Sequence, residues 1–238
     1  MVSRKGNLLS GIDIDGLLKR SVESAVKVHK SNLSESYVAE QKPFKMVSEL
    51  MSQKAKDAHI DLYKNYVDSL NKVSSKLDST DRKDVNPRHS DYRSLKLDEA
   101  YNLNAVWLHE LYFANCFDPH SEIVMDSQAY LKLQRDFGTF DDWQKDFMAA
   151  ALSAGNGWAV TGYHMFLRRY VNVMVSHHSG DVMLGIYPVI VMDMWEHSYT
   201  RDYQNDKKTY LISMMKEFNW GIIEERFKKA EAIAQAVK

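Results

Sequence analysis

Apolar residues recur at helical spacing along most of this chain, and strand-like alternation is confined to one region. Near the N-terminus, Ile14, Leu17, Leu18, Val22 and Val26 fall on roughly one face of a helix expected over about Asp13 to His29. That face needs a partner, either the body of the protein or another chain. A long helical pattern then runs from about Phe44 to Val73 and ends in the polar stretch Ser74 to Thr80. The charged segment from there to about Lys96 contains Pro87 and reads as an exposed connection. A second long helix is expected from about Leu97 to Phe117, stopped at Asp118-Pro119. Two long helices joined by such a loop form a helical hairpin.

Beyond Pro119 the pattern predicts helices over about Asp126 to Phe137 and Phe140 to Ala154, with Gly138 between them and Thr139 as an N-cap. Gly155-Asn156-Gly157 ends the second. Trp158 to His164 and Tyr170 to Ser176 then read as strands, the latter through alternating Val171, Val173 and Val175. Tyr187 to Met192 is a third, more continuously apolar strand. Helices return over about Asp206 to Phe218 and Ile222 to Val237. The expected fold class is α+β, a long N-terminal helical hairpin followed by a C-terminal domain with a small three-stranded antiparallel sheet surrounded by helices. The boundaries this implies are an extension over 1–40, a hairpin over 41–118 and an α+β domain over 119–238.

Composition narrows the function classes. At 238 residues the chain can bury a core without covalent staples, and its single cysteine, Cys116, forms no intramolecular disulfide and builds no zinc ribbon. This usage fits a reducing compartment. The formal net charge of −1 lacks the basic footprint of nucleic-acid binding. No apolar run reaches signal-peptide or membrane-span length, so a cytoplasmic protein without membrane partners is expected. Gly155-Asn156-Gly157 precedes a strand, where a phosphate cradle would precede a helix.

The chemistry-bearing segment is Asp193-Met194-Trp195-Glu196-His197, which sets a carboxylate and an imidazole four residues apart. At helical pitch both would lie on one face and could address one metal ion. Alone the spacing is common. A second element, Tyr101 to Phe113, carries His109 inside an aromatic helix. Arg135-Asp136-Phe137-Gly138, Gly155-Asn156-Gly157-Trp158, the run Pro188 to Tyr199 and the later Phe218-Asn219-Trp220 complete a pattern that resembles the iron/manganese superoxide dismutases from about residue 45 to 235.

That resemblance implies one iron or manganese ion per chain, with His109 on the second hairpin helix, Asp193 at a strand end and His197 in the following turn as ligands. His59 is implied as the fourth: it precedes the intact Tyr66-Val67-Asp68-Ser69-Leu70-Asn71 by seven residues, where the family more often has eight. Three imidazoles and one carboxylate suit a first-row ion and leave a position for solvent or substrate. The resemblance further implies superoxide as substrate, Tyr66 at the substrate channel, Trp195 as a wall of the site, and a homodimer or higher homo-oligomer bridged by Glu196. Tyr63 competes with Tyr66 for the channel role. The family commonly holds bound solvent with a Gln, but Ala105 stands at one of its positions and the sheet loop reads Val175-Ser176-His177-His178-Ser179. His177 or His178 is expected to substitute, with His178 favoured. His29, His89, His120 and His164 are expected in surface or capping roles.

A second reading keeps the fold but not the chemistry: a structural or assembly protein, such as a virion component, with residues 1–40 docking another protein. A metal protein with a different redox substrate is a third. The ligand set discriminates, because a scaffold has no reason to retain it.

Overall fold

The computed structural model describes residues 37–116 and 120–236; the helix expected over about Asp13 to His29 lies outside them. The chain enters along the helical hairpin. Tyr37 N donates to Ser74 Oγ at 2.6 Å, Ala39 N donates to Asn71 Oδ1 at 2.7 Å, and Lys42 N donates to the Tyr63 hydroxyl at 3.1 Å. Phe44 then packs on Tyr63 and Phe113.

Helix α1 (Gln53–Ser79) and helix α2 (Asp91–Asn115) form the hairpin. The first starts nine residues later than the pattern predicts and ends six later. Ser52 is the reason for the start: its side chain accepts from Ala55 N, fixing the N-cap there. Of the apolar residues ahead of it, Met46 and Met51 are buried in the core and Phe44 packs against it, while Val47 and Leu50 are exposed. At the other end Ser74 is buried against Tyr37 and Leu77 against the core, so the polar stretch still carries a buried face. Helix α2, by contrast, starts early, at Asp91 after Ser90, which shortens the expected connection to residues 80–90.

Helices α3 (Gln128–Phe137) and α4 (Phe140–Ser153) match their expected spans closely. Gly138 separates them at φ 96°, a conformation only glycine adopts freely, and Thr139 caps α4 by accepting from Asp142 N. Strands β1 (Trp158–His164), β2 (Arg169–Val175) and β3 (Ile186–Asp193) form one antiparallel sheet in the order β2-β1-β3. Both expected helices close the chain. They follow a short helix that the pattern did not predict: α5 (Glu196–Tyr203), then α6 (Lys207–Lys216) and α7 (Trp220–Ala236). A single apolar core runs from the hairpin through the sheet to α7. Cys116 lies in it as a free thiol. None of the described helices is long and apolar enough to cross a membrane.

Candidate metal centre

Each half of the fold contributes two residues to one buried cluster. His59 on α1 and His109 on α2 face each other across the hairpin, with ring centroids 5.2 Å apart. Asp193 ends β3, and His197 lies in the first turn of α5. The four-residue spacing is therefore a strand-to-helix turn, which replaces the expectation that both side chains share a helix face. The turn is built locally: Trp195 is the extended N-cap residue of α5, and its N–H donates to Asp193 Oδ1 at 2.9 Å.

The other carboxylate oxygen is the focus. Asp193 Oδ2 lies 3.1 Å from His59 Nε2, 3.0 Å from His197 Nε2 and 3.8 Å from His109 Nε2. One candidate ligand atom from each of the four residues falls within 4.8 Å of the rest. His59, His109 and Asp193 are fully buried, and the His197 side chain is 24% exposed. His109 Nδ1 donates to the Ala105 carbonyl at 2.7 Å, which leaves Nε2 as a bare lone pair, and that atom has no hydrogen-bond partner among the described residues.

Electrostatics favour the form that binds a cation. Burial drives His59 below the usual imidazole range against the pull of Asp193, and burial with His59 alongside drives His109 well below it. Burial alone would raise Asp193, but His197 and His59 outweigh it and hold its carboxyl below the usual carboxylate range. The His59 and His109 rings are thus biased towards their neutral form beside an ionised carboxylate.

A ring of aromatic and imidazole side chains surrounds the cluster. Tyr66 packs 5.3 Å from His109 and 5.9 Å from His178, whereas the hydroxyl of Tyr63 donates to Glu110 on α2 and accepts from Lys42 N. Of the two expected channel tyrosines, only Tyr66 reaches the site. His178 is fully buried and accepts from Trp158 Nε1 at 2.6 Å, with its ring 5.5 Å from Trp195. His177 is exposed and bonds Ser179 in its own loop. Trp195 stacks on His197 at 6.0 Å, and Glu196 is exposed beside it. His164 takes a capping role, its Nδ1 accepting from Leu167 N.

Three contributors were not singled out from the sequence. Trp158 packs 4.9 Å from His109, Tyr101 lies 4.9 Å from His178, and Tyr210 donates to the Asp193 carbonyl at 2.9 Å. Tyr101 carries a readable signal, since it stands eight residues before His109 on the same helix. Tyr210 carries none, because its approach depends on how α6 packs.

A helical hairpin and a small antiparallel sheet that bring three imidazoles to one buried carboxylate define a protein with a metal-binding type of centre between its halves. Comparison with known proteins agrees. Residues 126–226 match the family described as iron/manganese superoxide dismutases, C-terminal domain. The chain is 35% identical over 179 residues to the superoxide dismutase (Fe) of Aquifex pyrophilus, covering 74% of this chain and 83% of that one. The match to the superoxide dismutase (Fe) of Aquifex aeolicus has the same identity and coverage. It is 30% identical over 138 residues to the superoxide dismutase (Mn) of Corynebacterium diphtheriae, 58% of this chain and 69% of that one. The chain belongs to the iron/manganese superoxide dismutase family.

Proposed function

We propose that this chain disproportionates superoxide to oxygen and hydrogen peroxide, and that His59, His109, Asp193 and His197 hold one iron or manganese ion for that purpose. The observation that carries the reading is the convergence of the three imidazoles on Asp193 Oδ2, with the lone pair of His109 Nε2 buried and without a hydrogen-bond partner among the described residues. A buried acceptor of that kind is costly unless something occupies it. The donor set fits the implied metals, since nitrogen and oxygen ligands without thiolate suit first-row redox ions. When bound, the ion supplies a one-electron couple that superoxide both reduces and reoxidises.

The chain's own residues do the rest. Asp193 offsets cationic charge in the cluster, and the Ala105 carbonyl fixes the His109 tautomer. Two protons must reach the product for each peroxide released. Tyr66 and His178 line the approach and orient bound solvent, with His178 in the role that Gln fills in other members. Burial, followed by a hydrogen bond to Tyr101, pushes the Tyr66 phenol up, so it stays protonated and available as a donor. Trp195 closes one wall. Glu196, exposed in the first turn of α5, reaches the partner subunit's His197 in a homodimer.

A scaffold reading has no use for a buried ligand set of this kind, which favours the enzyme. The test is superoxide decay catalysed by the full chain. Wild type is expected to accelerate it catalytically and His109→Ala to lose that activity while remaining folded. Equal decay rates for the two would reject the reading.

A further inference from the structure

Among the described residues strand β3 is an edge strand, bonded to β1 on one side only. An open edge leaves alternate carbonyls unpaired. Here they are taken up by side chains. The Val189 carbonyl accepts from Arg226 at 3.2 Å, the Val191 carbonyl from Asn115 Nδ2 at 2.9 Å, and the Asp193 carbonyl from Tyr210 at 2.9 Å and Ser198 at 3.2 Å. The strand is thus held, at every second residue up to Asp193, by α2, α5, α6 and α7.

Arg226 is the centre of this arrangement and has no role in the chemistry described above. It is 8% exposed, and burial pushes its guanidinium down to about 10. Among the described residues its acceptors are all amide oxygens: the Val189 carbonyl, the Leu111 carbonyl at 2.8 Å and Asn115 Oδ1 at 2.5 Å. Leu111 lies two residues after His109 on α2, and Val191, held through Asn115, lies two residues before Asp193 on β3. The forked head therefore joins the backbone that carries one ligand of the hairpin to the backbone that carries one ligand of the sheet. A buried cation satisfied only by amide oxygens is expensive for a fold that needs stability alone.

We infer that Arg226 is a positioning residue for the metal centre, fixing the separation of His109 and Asp193 by clamping α2 to the edge of β3. This rests on the metal-centre reading above. A lysine keeps the charge but not the planar fork, so it cannot hold both backbones.

The test compares metal-loaded wild type with Arg226→Met, Arg226→Lys and a control, Leu133→Ala, which opens a hole in the core on α3 away from the cluster. Metal retention against a chelator and the visible spectrum of the bound metal are read at a temperature where every variant stays folded. Both Arg226 variants are expected to weaken metal retention by about tenfold or more and to shift the spectrum, while Leu133→Ala lowers the melting temperature and leaves both unchanged. If Arg226→Met does not fold, Arg226→Lys carries the same comparison. Arg226 variants that melt early yet keep wild-type retention and spectrum would overturn the clamp alone. A folded wild type that takes up no iron or manganese would overturn the metal-centre reading and the clamp with it.

Discussion

His178 shows how one side chain ties stability to the site. Its ring is buried against Trp158, Tyr66 and Trp195, and burial pushes its pKa down to about 4. An unfolded histidine titrates near 6.5. Between those values the unfolded chain binds the proton and the folded chain does not, so stability falls as pH drops from about 6.5 to about 4. Above 6.5 the group contributes no pH dependence. In metal-stripped protein the difference in unfolding free energy between wild type and His178→Gln should therefore change by up to about 3 kcal/mol over that window, to the disadvantage of wild type at low pH. Denaturant curves at the two ends would show it; a pH-independent difference would mean that His178 is solvated. At this scale the sequence was informative about identity and poor on orientation. Asp193, His197 and His109 could be read from motifs, and Tyr66 and His178 as members of pairs. What separated Tyr66 from Tyr63 was the Glu110 and Lys42 bonds of the latter, formed by residues remote in sequence.

Among the elements, the start of β1 has the tightest geometry near the cluster. A Cβ at Gly157 would lie 2.4 Å from the Val175 carbonyl and 2.9 Å from that of Ala154, both backbone atoms that cannot yield cheaply. The Gly157 carbonyl also accepts from Met194 N at 2.8 Å, tying the start of β1 to the turn that follows Asp193. Gly157→Ala is expected to destabilise the fold by about 1–3 kcal/mol through overpacking, and to lower metal occupancy because the Asp193 turn shifts with it. An unaltered melting temperature would contradict that geometry. The helix and strand types were legible because each long segment kept one period. The boundaries of α1 were not, since Phe44, Met46 and Met51 reach the core in a non-helical course while Val47 and Leu50 stay exposed, and only Ser52 marks the cap. The short α5 escaped for a related reason: eight residues starting from a Trp N-cap without a side-chain bond carry almost no local signal.

The whole molecule places its candidate centre at a seam, with His59 and His109 from the hairpin and Asp193 and His197 from the sheet half. An ion held there links the halves and adds stability by mass action, so stripping it should lower the melting temperature. The proposed dimer belongs to the same scale. Replacing the exposed Glu196 by Ala should weaken the homodimer or loosen the metal, read by native mass and metal content, and no change in either would remove Glu196 from that role. The most direct measurement is elemental mass spectrometry of the full chain purified from cells supplied with both iron and manganese, beside His109→Ala as the control. Close to one iron or manganese per wild-type chain, and little in the variant, is the expected result. A folded, metal-free wild type would contradict the account.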